Sequence, residues 1–269
     1  MTSDGARAGA FGASEPSKGR VIAFRVIAGI GGALAVVFTV PFTIAVVFSS
    51  GPDSIHRIHV ISGAVGFGLL SGVVLLLCAW RPAEFVSAFQ VAIAATVAVL
   101  VAGLLSGDLL AAGYGVQVVI VAVLVVLHPA RGRVLHARAP SVPLAVLSVA
   151  ALVPSIGYLL TWSAMQRDAV AGDPHAAMHH YSGMAALGIG ISLAGSAVSL
   201  RASGWRAMAW FVGVSWAAMA LASLAWPDYV SAFDALWAWA ALAYGIVFIA
   251  VAEWEARTPD GMPGIEVAR

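Results

Sequence analysis

Long unbroken runs of apolar residues make up most of this chain, and polar residues collect in the short gaps between them. Eight runs reach or approach the roughly 20 residues that an α-helix needs to cross the hydrocarbon core of a bilayer. They cover residues 21–48, 59–79, 85–105, 109–127, 142–162, 179–200, 207–226 and 229–254. The gaps carry turn chemistry, as in Ser49-Ser50-Gly51-Pro52-Asp53, Arg81-Pro82, His128-Pro129, Gly172-Asp173-Pro174 and Ser203-Gly204. The gaps at Asp108 and Asp228 are short enough to predict tight helical hairpins, each Asp opening the next helix as a cap. The pattern predicts an all-α, polytopic membrane protein with eight transmembrane helices.

Composition agrees with this pattern. Hydrophobic residues make up 61% of the 269 residues and charged residues 10%, against about 25% charged in soluble domains. So few charges cannot coat a soluble globule. The basic residues fall almost entirely in alternate gaps: Arg7, Lys18, Arg20 and Arg25, then Arg81, then Arg131, Arg133 and Arg138, then Arg201 and Arg206, then Arg257 and Arg269. Only Arg57 and Arg167 lie in the other set. The positive-inside rule then predicts that both termini are cytoplasmic and that the protein is a multi-pass protein of the cell membrane. Residues 1–20 and 258–269 read as disordered cytoplasmic tails.

The outer side holds Asp53, Asp108, Asp168, Asp173, Asp228 and Asp234, with His56, His59, His175, His179 and His180. His128 and His136 fall in the basic inner loop, where solvated side chains are expected. The net charge of +1 excludes a nucleic-acid-binding field. Cys78 is the only cysteine, so no internal disulfide forms and no multi-cysteine metal site exists. Lys18, the only lysine, lies in the N-terminal tail, which excludes an intramembrane Schiff base.

Asp53, His59, Ser62, Gly63, Arg81 and Asp108 recur 120 residues later as Asp173, His179, Ser182, Gly183, Arg201 and Asp228. This constant offset predicts two parallel four-helix repeats, 21–128 and 142–257, joined by a basic cytoplasmic linker at 129–141. Gly66, Gly68, Gly72, Gly188, Gly190 and Gly195 would let the second and sixth helices approach closely and bring His59 near His179. The segments His59-Val60-Ile61-Ser62-Gly63 and His179-His180-Tyr181-Ser182-Gly183, with a Trp-rich last helix pair, resemble the bacterial membrane-protein family of domain of unknown function 998. The resemblance implies a helical membrane fold and carries no chemistry.

Ionisable side chains at membrane depth are costly and point to function. Three chemistries compete for the Asp/His set. In the first, His175 and His179, spaced i and i+4, bind a metal with help from Asp oxygens. That pair is similar to the His-x-x-x-His of alkaline-ceramidase-type hydrolases, although the order of residues differs and Ile55 stands where the first half would need a histidine. In the second, His59 and His179 hold one haem near the outer surface. In the third, Asp and His tune each other for proton transfer. Asp234 fits the third best, reading as a carboxyl inside the eighth helix, beyond any cap position. Trp216, Trp237 and Trp239 with Tyr114 would wall a pocket able to stabilise a cation.

No phosphate loop, Asp-rich diphosphate motif or serine elbow appears. The expected function is therefore an integral membrane enzyme using Asp/His acid–base chemistry on an apolar, isoprenoid-like lipid: a protonation-initiated terpene cyclase or isomerase. Its catalytic set is Asp234, His179, Asp228, Asp108, His59, Asp53 and Asp173. Expected partners are membrane lipid and a lipid-like substrate, with no cofactor and no nucleic acid. The alternatives are a transporter or a metal- or proton-binding protein with an extracytoplasmic Asp/His site, or a metal-dependent membrane hydrolase.

Overall fold

The computed structural model describes residues 16–108, 112–134 and 140–258; side chains at 52, 53 and 112–114 also fall outside the described part. The described residues are helical, with no strand among them. Helix α1 spans Lys18–Val47, α2 Ser54–Trp80, α3 Val86–Ser106, α4 Ala112–Leu127, α5 Val142–Arg167, α6 His180–Ser199, α7 Trp205–Ala225 and α8 Ala235–Arg257. Short helical turns sit at Arg131–Val134 and Pro174–Ala177. Seven of the eight are long and apolar enough to cross a membrane; the described part of α4, at 16 residues, is shorter than the roughly 20 that span a bilayer.

The chain runs up and down, so the helices present two ends. At one end Ser141 Oγ donates to Glu255 at 2.8 Å and Arg20 donates to the His128 carbonyl at 3.3 Å. At the other, Asp108 meets His179 and His59 meets Ser231. These are called the arginine end and the histidine end.

α3 and α6 form the buried centre, with α1, α5 and α8 around them. The peripheral helices turn apolar side chains outward: Val37 and Phe38 on α1, Val146 and Val153 on α5, Leu236 and Ile246 on α8. In water such a surface would be a liability. Against hydrocarbon it costs nothing, because lipid tails are as apolar as the side chains. The protein is a membrane protein by this measure.

Small residues set the helix spacing. A Cβ on Gly32 of α1 would lie 2.7 Å from the Gly72 carbonyl of α2, so these two backbones touch. α2 itself changes gauge along its length. It begins within a 3-10 turn that spans Pro52–His56, is α-helical over Arg57–Gly63, widens to a π-helix over Ala64–Val73 and returns to α over Val74–Trp80. Ser71 Oγ donates to the Gly66 carbonyl five residues back, at 3.1 Å, which suits the wider register. π segments concentrate at functional sites.

Two expectations about the ends of the helices need correcting. Asp228 opens no helix: it lies exposed in a connector that runs to Asp234, and α8 starts at Ala235. His128 is fully buried, its ring 4.6 Å from Phe89 and 4.8 Å from Phe24, with Nδ1 accepting from the Ala130 amide. Burial, with help from Arg133 and Arg20, lowers its pKa to about 4 and keeps it neutral. His136 and residues 109–111 lie outside the described residues.

Candidate functional site

Four histidines meet at the histidine end. His56 closes the 3-10 turn and His59 follows on the same face of α2. His175 sits in the Pro174–Ala177 turn and His180 begins α6. Ring centroids are 4.6 Å apart for His59–His180, 4.8 Å for His56–His180 and 4.9 Å for both His56–His175 and His59–His175. Two segments far apart in the chain thus contribute two imidazoles each.

The local chain explains this convergence. Asp173 caps the short turn, Oδ1 accepting from the amides of His175 at 2.8 Å and Ala176 at 3.1 Å, with Pro174 at the first helical position. Tyr181 donates to its other oxygen at 3.2 Å. Partial burial works against the Asp173 carboxylate, but these hydrogen bonds hold its pKa below the usual range. His179 then adopts φ 59°, a left-handed conformation uncommon for a non-glycine residue. That kink ends the turn, starts α6 on a new axis and aims His180, rather than His179, at His175 and His59. Ser231, the hydrogen-bond partner of His59, has φ 72°. Backbone strain of this kind clusters at functional sites.

The nitrogens are arranged for a shared partner. His56 Nδ1, His59 Nδ1, His180 Nδ1 and His175 Nε2 are all buried without a hydrogen-bond partner. His59 is 4% exposed, and its Nε2 lies 3.0 Å from Ser231 Oγ. His175 Nδ1 faces Asp173 Oδ1 at 3.8 Å. Burial, then His56, lowers the His175 pKa, with Asp173 opposing. One nitrogen from each of His56, His59 and His180 falls within 4.8 Å of the others. Nitrogens bound about 2.1 Å from a tetrahedral zinc would stand about 3.4 Å apart, so closing the site takes side-chain shifts on the order of 1 Å. The adjacent Arg57 turns away: it donates to the Ser49 carbonyl and to Tyr229 Oη, and lies over Trp226 at 5.4 Å.

The other expected residues divide. Asp108 and His179 do meet: Asp108 Oδ2 lies 2.8 Å from His179 Nδ1 and accepts from Ser182 Oγ at 2.9 Å. This pair flanks the four imidazoles. His179 therefore does not join His175 as a metal pair, because the left-handed kink breaks the continuous helix that i, i+4 spacing needs. Asp234 is not inside a helix. It is the exposed N-cap of α8, accepting from the Trp237 amide at 3.1 Å, and nothing holds it as a buried acid. Trp237 and Trp239 are 53% and 60% exposed on the outer face of α8, so they wall no pocket. Trp216 is buried, edge-on to Tyr244 at 5.7 Å, away from the histidines. The side chains of Asp53 and Tyr114 lie outside the described residues. His56 and His180 were legible only as members of the outer histidine set.

No protein-family model, curated protein or solved structure matches the chain.

Proposed function

We propose that this is a multi-pass protein of the cell membrane that binds one transition-metal ion at an all-histidine site, at the extracytoplasmic ends of its helices. The observation that supports this is the cluster His56, His59, His175 and His180, in which each imidazole has one buried nitrogen lacking a partner. Buried imidazole nitrogens left unpaired at close quarters are costly, and a cation satisfies them at once. Imidazole donors suit zinc, copper, nickel or iron. With the ion on His59 Nδ1, Nε2–H donates to Ser231; with it on His175 Nε2, Nδ1–H faces Asp173. Both are the outer partners that fix a ligating tautomer. The haem reading of His59 with His179 finds less support, because His179 pairs with Asp108 at 2.8 Å and it is His180 that stacks on His59 at 4.6 Å. The cyclase reading loses its donor with Asp234 at an exposed cap.

Eight crossings as two parallel repeats, with cytoplasmic termini, are part of this proposal, supported by the arginine distribution. So is membership of the domain of unknown function 998 family, which stands on its short motifs. Val170→Cys, at an exposed position, is expected to react with an impermeant maleimide in intact cells. Arg131→Cys is expected to react only after permeabilisation. The reverse pattern would invert the topology.

The direct test uses purified protein equilibrated with zinc, copper or nickel and washed. Elemental analysis is expected to find one equivalent of one metal per chain, and none after all four histidines become alanine. Equal uptake by the two proteins would overturn the reading.

Acid should release the ion. Histidine titrates near pH 6.5 in model peptides, and a lowered pKa, as for His175, means the fold favours the neutral ring. The group's stabilising contribution is then present above about pH 6.5 and declines as pH falls below it. Among the described residues Asp173 is the acid that faces these rings, and Arg57 points away. Several protons compete with one ion, so affinity is expected to fall more than tenfold per pH unit below about pH 6. Titrations at pH 7.5 and 5 check this; equal affinity at both would exclude imidazole ligation.

A further inference from the structure

A cavity of about 360 Å³ lies directly beneath the imidazoles, within the roughly 300–1,000 Å³ range of small-molecule sites. His59, His179 and His180 form its rim, and Ser71 and Gln117 lie at the far end. His59 and Ser71 are twelve residues apart on α2, so the shaft runs somewhat less than the roughly 18 Å that an α-helix of that length would span, because the wider π segment rises less per residue. The π segment forms one wall. Phe38 and Phe42 line the opposite side on α1 and are 73% and 52% exposed on its outward apolar face. The shaft thus opens sideways, toward lipid.

Its interior offers few hydrogen-bond donors. Thr39 Oγ1 donates to the Ala35 carbonyl at 2.7 Å, Thr43 Oγ1 to Val60 at 2.9 Å and Ser62 Oγ to His59 at 2.6 Å. Gln117 Nε2 spends its protons on Ser71 Oγ and Thr96 Oγ1, at 3.1 and 3.3 Å. With their protons on backbone or on one another, these groups present alkyl surface and lone pairs to the shaft. Among the described lining side chains, nitrogens without a partner occur at the rim. His59 and His180 belong both to the rim and to the three-histidine set, so an ion held there faces the shaft.

We propose that the shaft holds the apolar chain of a single lipid-like amphiphile that enters from the outer leaflet, its oxygen-bearing head against His59 and His180. The head's partner rests on the metal site proposed above; the chain's place rests on the cavity alone. A lipid is the ligand of the site, and the ion is what reads its head.

The test is photolabelling of the full-length protein, reconstituted in lipid, with a long-chain fatty alcohol carrying a diazirine near its tail. Labelled peptides are expected from Ala64–Val73 of α2 and from Leu187 to Gly190 of α6. Gly63→Leu fills the shaft: Gly63 lines it, and nothing lies within 4 Å of the added Cβ. Leucine also favours the helix over glycine. Labelling of these peptides is expected to drop at least tenfold, with metal stoichiometry unchanged. Gly66→Leu, whose Cβ would meet only Leu187 at 3.4 Å, should do the same. His59→Ala with His180→Ala is expected to lose metal and keep the shaft label. Label confined to the outward faces of α1, α5 and α8, or unchanged by Gly63→Leu, would overturn the chain site. Label blocked by Gly63→Leu in a protein that takes up no metal would overturn the metal centre and uphold the chain site.

Discussion

Replacing His59 and His180 together by alanine is expected to cut metal uptake from one equivalent per chain to none. These two rings stack at 4.6 Å, and both supply nitrogens to the set within 4.8 Å. Losing an outer-sphere partner typically weakens metal binding about 10–100-fold. Losing a direct ligand should cost at least the upper end of that range, and losing two leaves His56 and His175 as a weak pair. His179→Asn, which removes the imidazole and keeps a residue type that tolerates the left-handed backbone, is the control. Its ring pairs with Asp108 at 2.8 Å and stays out of the quartet, so uptake should be unchanged. His59→Ala also frees Ser231 Oγ, buried at 3% exposure, which costs about 1–3 kcal/mol of stability if it stays unpaired. His59→Gln can still reach Ser231, and separates lost ligation from lost packing. Isothermal titration with the preferred metal measures all four variants. Wild-type affinity in the double variant would remove His59 and His180 as ligands.

Gly245→Leu is expected to unfold or disperse the α7–α8 pair. The two helices cross backbone to backbone: a Cβ on Gly245 would lie 2.5 Å from the Gly213 carbonyl, and one on Gly213 would lie 2.7 Å from the Gly245 carbonyl. No rotamer relieves a clash with backbone, so the helices must separate. Forced overpacking typically costs about 1–3 kcal/mol, and more where a whole interface opens. At the arginine end the pair is tied by Arg206 and Trp210 on Glu253, at 2.6–2.8 Å. At the histidine end the connector carries Ser231 to His59. Splaying at the crossing therefore also loosens the metal site. Gly245→Ala should be intermediate. Thermal melts in detergent, read by size-exclusion chromatography, should rank wild type above Ala above Leu; an unshifted Leu variant would refute the close crossing.

The helices were legible because bilayer-scale apolar runs have few other readings. Two local features hid the site. Tyr229, Val230, Ala232 and Phe233 continue the apolar pattern into α8, so hydropathy alone placed Asp234 within a helix. The turn chemistry that ends the connector, Ser231 at φ 72° and the Asp234 cap, does not show in hydropathy. Likewise His175 and His179 share a face only on a continuous helix. The kink at His179 substitutes His180, and no residue in that segment is a glycine that would have signalled a left-handed turn. The repeat-related pair His59 and His179 pointed to the right end of the molecule. The match of His59 with His180, and the entry of His56, depend on packing between α2 and α6 that one sequence does not encode locally.

The central claim is a metal held by imidazoles alone, and X-ray absorption at the edge of the bound metal tests it most directly. The purified protein, loaded with its preferred ion at pH 7.5, is expected to show a first shell of nitrogen at roughly 2.0–2.1 Å if that ion is zinc. The outer-shell scattering of three or four imidazole rings should accompany it, with at most one further light-atom ligand. A first shell of sulfur, or of oxygen without imidazole scattering, would contradict the histidine centre.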